Sequence, residues 1–108
     1  MRKTVRIYSY VRETGKYEVN DYGCTAALEN GQAAEKGGAY RKDGGSIRIM
    51  TRGEVRVKPG DYASFDMERE VPDKDRDYIV TAVRDNRRGG LPHWRLIVNG
   101  RIRVQAQY

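Results

Sequence analysis

The sequence predicts a small, mainly β domain, and three observations lead to this prediction. Short segments in which apolar and polar residues alternate recur along the chain, as in strands with one buried face. Turn signals rich in Gly, Pro, Asn and Asp separate these segments at short intervals, and the β-forming residues Val, Ile, Tyr and Thr recur throughout. We therefore expect a single domain over residues 1–108, folded as a small antiparallel barrel or sandwich of about seven or eight strands with little helix.

The first predicted strands form a hairpin. Val5 and Ile7 alternate with polar residues, and Tyr17 and Val19 follow across a turn at 13–16. Asn20-Asp21 is a second turn signal. Residues 25–28 could open a helix, but a strand over residues 24–28 is favoured because glycines interrupt the region that follows.

Further alternating segments predict the remaining strands. They are the pairs Ile47/Ile49 and Val55/Val57, and the set Ala63, Phe65 and Met67. The run from Tyr78 to Val83 is apolar on both faces, which is typical of a central strand.

The register of the last hairpin follows from its apolar residues. A three-residue loop with a left-handed Gly100 pairs Trp94 with Val104 and Leu96 with Ile102, which gives one continuous apolar face. A two-residue Asn-Gly turn would instead oppose apolar residues to arginines. The favoured register directs two arginines outward together, Arg95 and Arg103.

The segment from about residue 30 to residue 45 has no strand pattern. It contains five glycines and little apolar material, and it predicts a long mobile loop. Loops of this length in a compact domain are either functional or disordered. Tyr40, Arg41 and Lys42 are its candidate contact residues.

No constellation of residues with catalytic or metal-binding spacing is evident. His93 and Cys24 are each the single residue of their type, and nothing marks them as neighbours; His93 is expected to cap a strand end or bond a backbone carbonyl. Asp73, Asp75 and Asp77 have the alternate spacing that opens a calcium loop, but the required glycine and glutamate are replaced by Tyr78 and Arg84. The three aspartates are therefore expected to lie in a solvated turn. We predict no catalytic residues, no metal and no cofactor, so the function is expected to be binding rather than catalysis.

The charge of the chain favours acidic partners. The net charge is +6, from 21 basic and 15 acidic residues, and arginines concentrate in the second half. Nucleic acid and acidic patches on proteins are both compatible with this charge, while a simpler explanation is that interspersed charges keep the domain soluble. Arg87 and Arg88, beside two glycines on a turn, are candidate contact residues expected to be exposed and movable.

Three local motifs together carry a resemblance to a known family. They are Pro59-Gly60-Asp61 before a strand, Asp85-Asn86-Arg87 after the apolar strand, and Pro92-His93-Trp94 before the last hairpin. With the N-terminal strand ending in Glu13-Thr14-Gly15, the chain resembles a family of short phage and prophage proteins from Gram-positive hosts, encoded among capsid and connector genes. More loosely, it is similar to the head-closure and head–tail joining proteins of tailed phages, over roughly residues 3 to 106.

The resemblance implies a structural role in a virion. The expected partners are other connector, portal or tail proteins, contacted in a ring of identical subunits at the head–tail junction, with only weak non-specific contact to DNA. The alternative is a small-barrel nucleic-acid-binding protein that uses an arginine-rich face. The sequence has no run of 18 apolar residues and no signal-type start, so we expect no membrane association, and the host cytoplasm as the location before assembly.

Overall fold

The computed structural model describes residues 3–29 and 44–100. Within these residues the chain forms six strands and no helix. The strands are β1 (Lys3–Val11), β2 (Lys16–Glu29), β3 (Gly44–Ile49), β4 (Tyr62–Ser64), β5 (Tyr78–Asn86) and β6 (His93–Asn99). The described part of the chain contains no helix of the length and apolar character that a membrane span requires.

The six strands form a closed barrel in the order β1-β2-β3-β6-β5-β4. Two three-stranded meanders, β1–β2–β3 and β4–β5–β6, join through antiparallel pairing of β1 with β4 and of β3 with β6. In this order β1 and β6 lie on opposite sides of the barrel. The prediction of a mainly β barrel is confirmed, whereas the predicted seven or eight strands exceed the six that the described residues form.

The barrel interior is filled by side chains from all six strands. Nine residues form the buried core: Val5, Ile7, Cys24, Ile47, Ile49, Ala63, Val80, Leu96 and Val98. Because successive side chains of a strand point to opposite faces, the residues between these core positions point outward. The alternation that the sequence shows therefore fixes which side chains are available to a partner.

The predicted first hairpin is confirmed, but the second turn signal is wrong. Val11 pairs with Lys16, and Gly15 closes the turn with a φ of +71°. The register continues without a break through Asn20 and Asp21, because Asp21 pairs with Arg6 across the ladder and its carboxylate binds that guanidinium. The strand predicted over residues 24–28 is thus the second half of the long strand β2.

The alternating pair Val55 and Val57 does not belong to a strand. Both side chains pack against the core, but the segment makes no ladder with any described strand. It is held across β2 by side chains instead: the Arg56 amide donates to the Tyr22 hydroxyl (2.8 Å), and the Arg56 guanidinium donates to Glu18 (3.0 Å). Alternating burial therefore arises here from one-sided packing rather than from sheet pairing.

The strand predicted through Phe65 and Met67 ends at Ser64. The Ser64 hydroxyl accepts a hydrogen bond from the Asp66 amide (3.0 Å), which closes a side-chain turn in place of the next ladder bond. Although β4 is short, it pairs with β1 on one side and with β5 on the other, and its pairing with β1 helps to close the barrel.

The predicted end of the long loop at residue 45 is wrong. Gly44 and Gly45, which we assigned to the loop, are the first residues of β3 and pair with Glu29 and Leu28. Residues 30–43, and with them Tyr40, Arg41 and Lys42, lie outside the described residues. So does the predicted pairing beyond Gly100, including Arg103, and the register of that hairpin stays a prediction.

Pro59-Gly60-Asp61 forms a tight turn that is anchored in the barrel. The Asp61 amide donates to the Lys58 carbonyl (3.1 Å), and Gly60 has a φ of +100°, the arrangement of a turn with Pro and Gly at its centre. The Asp61 side chain is 4% exposed and accepts hydrogen bonds from the Ser9 hydroxyl (2.7 Å) and the Lys58 amide (2.9 Å). This motif therefore connects β1 to the start of β4 and has a structural role.

Candidate binding surface

Three outward-pointing arginines lie side by side on adjacent strands. Arg95 of β6 pairs directly with Arg48 of β3 on one side and with Arg84 of β5 on the other. All three are exposed, and we call them the arginine row. Side chains directly opposite one another in a sheet have Cβ atoms about 5 Å apart, so the row forms a compact positive band across three strands.

The local sequence explains why the row points outward. Arg48 stands between the buried core residues Ile47 and Ile49, and Arg95 precedes the buried Leu96. Strand alternation therefore directs both guanidinium groups away from the core. The sequence predicted that Arg95 points outward, but it did not reveal Arg48 and Arg84 as its neighbours, because that pairing depends on the closure of β3 against β6.

The arginine row has no acidic partner within residues 3–29 and 44–100. Five other described arginines are ion-paired: Arg6 with Asp21, Arg56 with Glu18, Arg69 with Asp77, Arg76 with Asp73 and Arg87 with Asp85. Arg12, Arg52 and Arg88 are also without an ion pair among the described residues, but none of them belongs to a directly paired set on adjacent strands. Like charges directly opposite one another destabilise a sheet. The row is thus a surface whose electrostatic repulsion is relieved when an anionic group binds to it.

Arg87 is fixed in place, which corrects the prediction of an exposed, movable side chain. Its guanidinium makes two parallel hydrogen bonds to Asp85, Nε–Oδ1 and Nη2–Oδ2, both 2.8 Å long. Its Nη1 donates to the carbonyls of Arg52 (3.1 Å) and Gly53 (3.3 Å), and the guanidinium lies 4.5 Å from the centre of the Trp94 ring. These contacts also hold the pKa of Asp85 below its ordinary value, chiefly through the hydrogen bonds from Arg87.

Trp94 completes this structural cluster. Its side chain is half-buried against the edge of the core, and its indole Nε1 donates to the Gly53 carbonyl (2.9 Å). Arg87 and Trp94 together dock the segment after β3 onto the β5–β6 hairpin. Arg88, the next residue, is exposed and makes no contact of this kind within the described residues.

Two of the three motifs that carried the resemblance are neighbours in the fold. Asn86 pairs with His93, and Asp85 pairs with Trp94, across the β5–β6 ladder. His93 Nδ1 donates to the Leu91 carbonyl (2.8 Å), since a carbonyl oxygen can only accept, and Nε2 lies 3.3 Å from Asn86 Nδ2. The expectation that His93 bonds a backbone carbonyl is confirmed, and the two motifs shape one hairpin end.

The prediction that Asp73, Asp75 and Asp77 lie in a solvated turn is wrong for Asp77. Its side chain is 4% exposed and receives two hydrogen bonds from Arg69, Nη2–Oδ1 at 2.7 Å and Nη1–Oδ2 at 3.0 Å. The Asp73 amide also donates to Asp77 Oδ2 (2.8 Å). No group of three or more potential metal ligands occurs among the residues that the structure describes.

Cys24 lies inside the barrel and is 2% exposed. Burial raises the pKa of its thiol above the ordinary value, so the thiol stays neutral. A neutral buried thiol is a core side chain rather than a nucleophile.

In comparisons with known protein families, curated proteins and solved structures, no family model, protein or structure matches this chain.

Proposed function

We propose that the chain is a structural subunit of a tailed phage or prophage, of the head–tail connector or head-closure-like class, which acts by binding neighbouring protein subunits. The observation that carries the binding role is the arginine row, Arg48, Arg95 and Arg84, which is exposed and has no acidic partner in the described parts of the chain. The virion setting is supported by the resemblance of the hairpin motifs, and the proposed location is the head–tail junction.

The form of the surface suits a protein partner. The arginine row stands on paired strands of a closed barrel, so the spacing of its charges is fixed by the ladder. Carboxylates on a neighbouring subunit that match this spacing would set the register of the contact, because the planar guanidinium group binds carboxylates at two points. Charges arranged in this way contribute specificity between subunits more than affinity.

The test of this proposal is deletion of the gene from a phage that encodes the protein. A connector subunit should be present in purified virions, and its loss should leave DNA-filled heads and complete tails that do not join. Restoring the wild-type gene should restore joined particles, whereas a variant with Arg48, Arg84 and Arg95 all changed to Ser should restore fewer. Normal particles from the deletion strain would contradict the proposal.

Nucleic-acid binding is a second candidate, because the same guanidinium groups suit phosphates. On one flank of the row the outward positions Ser46, Ile97 and Ala82 carry no aromatic ring on which a base could stack. On the other flank stands His93, whose imidazole is hydrogen-bonded to the Leu91 carbonyl. This candidate predicts affinity for duplex DNA that falls steeply with salt, with a slope of about −3 in log–log form for three phosphate contacts. The connector proposal instead predicts weak duplex binding that is unchanged by the triple serine substitution.

A further inference from the structure

The loop between β4 and β5 lies against the outer face of β1. Arg6 and Tyr8 alternate with core residues of β1 and therefore point outward. The Tyr8 hydroxyl (2.8 Å) and Arg6 Nη1 (3.0 Å) both donate to the Arg69 carbonyl of this loop. Tyr8 is fully buried although it is outside the core, because the loop covers it.

This loop is acidic and retains unpaired carboxylates. Residues 66–75, which we call the acidic loop, hold five carboxylates and two cations. The Glu68 amide donates to the Asp66 carboxylate (2.9 Å), and Arg69 binds the same carboxylate at 3.3 Å; the first contact and then the second lower the pKa of that carboxyl. Three carboxylates make no ion pair with any described residue: Glu68, Glu70 and Asp75.

The acidic loop and the arginine row lie on opposite sides of the molecule. The loop covers β1, the row is centred on β6, and these two strands are opposite in the six-stranded ring. A two-fold symmetric contact through the row would place arginines against arginines, which is repulsive. The two surfaces are complementary only when the row of one copy faces the loop of another.

We propose that a second copy of this chain is the partner of the arginine row, which docks on the acidic loop of the next copy. This inference rests on the proposed function and identifies one of the neighbouring subunits. The two surfaces lie on opposite sides of each copy. A copy that binds one neighbour through its arginine row can therefore bind a second neighbour through its acidic loop, and the same contact can repeat along an assembly. Such head-to-tail contacts form a ring if the rotation closes and a filament if it does not.

Reciprocal charge reversal tests this contact. The row variant carries Arg48→Glu and Arg95→Glu, and the loop variant carries Glu68→Lys and Glu70→Lys. Sedimentation velocity at low salt should show wild-type protein that self-associates with rising concentration and dissociates as salt is added. Each variant alone should need at least ~10-fold higher concentration to associate, since its two surfaces then carry the same sign. An equimolar mixture should associate again, because each surface finds one of opposite charge.

A matched control carries the same charge change outside both surfaces. The control variant carries Arg12→Glu and Lys16→Glu. Both residues are exposed, Arg12 in the β1–β2 turn and Lys16 at the start of β2, and this variant should associate like wild type. Circular dichroism spectra matching wild type would show that all variants are folded. Wild-type protein that remains monomeric at high concentration, or a mixture of variants that stays dissociated, would overturn the inference.

The outcome separates this inference from the proposed function. If gene deletion uncouples heads from tails while the wild-type protein does not self-associate, the connector function stands and the inference fails. If instead the row variant loses salt-sensitive DNA binding and the association of wild type is unaffected by either reversal, nucleic acid rather than a second copy occupies the row.

Discussion

Arg69 and Asp77 form a two-point ion pair that fastens the β4–β5 loop to the barrel. The Asp77 carboxylate is almost fully buried, and Arg69 also donates to the Ser64 hydroxyl (3.0 Å) while its carbonyl accepts from β1. The pair therefore holds together the end of β4, the start of β5 and the outer face of β1.

Replacing Asp77 by Asn should be strongly destabilising. The substitution leaves Arg69 without its main partner and places an amide where two guanidinium hydrogen bonds are made. Breaking a buried pair costs roughly 3–5 kcal/mol, and the partial exposure of Arg69 reduces the expected loss to about 2 kcal/mol. Urea unfolding followed by Trp94 fluorescence measures it. Asp75→Asn, in the same loop but exposed, is the control and should change the free energy of unfolding by less than about 0.5 kcal/mol.

A second prediction concerns two glycines of the barrel wall. Gly45 has a φ of +149°, and a Cβ at this position would overlap the Ala27 carbonyl oxygen and lie 2.8 Å from Leu28 Cα. Gly45→Ala should therefore destabilise the fold by about 3 kcal/mol, because backbone atoms of β2 must move. Gly23→Ala is the control on β2, since its Cβ would meet nothing within 4 Å. Equal urea midpoints for the two variants would contradict the close approach of β3 to β2.

Much of the barrel could be predicted from the sequence because several of its strands, β3 and β6 among them, alternate between buried and outward-facing residues. The core positions Ile47, Ile49 and Leu96 follow from period-two patterns and turn signals alone. The strand count could not be predicted, since Val55 and Val57 have the same pattern as strand residues while their backbone pairs with nothing described.

The candidate surface was only partly predictable for a related reason. Arg95 could be placed on the outer face from its own strand, but the arginine row depends on which strands become neighbours when the barrel closes. The burial of Asp77 was missed because Arg69, eight residues earlier, gives no local signal that it will fold back onto that carboxylate. Long-range pairing is set by tertiary structure, which a linear pattern does not contain.

Arg87 is expected to protect the segment after β3 from proteolysis. Its guanidinium binds the carbonyls of Arg52 and Gly53, so the peptide bond after Arg52 is held in place. Arg87→Ala should release this segment and accelerate trypsin cleavage after Arg52, measured by mass spectrometry of the fragments. Arg88→Ala is the matched control, because the exposed Arg88 makes no such contact among the described residues. Equal cleavage rates at Arg52 in the two variants would show that Arg87 does not hold the segment.

Stability should fall in acid because three carboxyl groups have lowered pKa values. Asp21 is stabilised in its charged form chiefly by Arg6, Asp66 by the Glu68 amide and then Arg69, and Asp85 by Arg87. As pH falls below the ordinary value of 3.8, the unfolded chain binds protons at these sites before the folded protein does. Their contribution is therefore present above that pH and is lost as pH falls through the lowered folded-state values. The urea midpoint should therefore drop from about pH 4 downward, and less steeply in Asp21→Asn with Asp85→Asn. The double variant lacks two of the three carboxyl groups with lowered pKa values. If its urea midpoint changes with pH as steeply as that of wild type, other carboxyl groups cause the acid sensitivity.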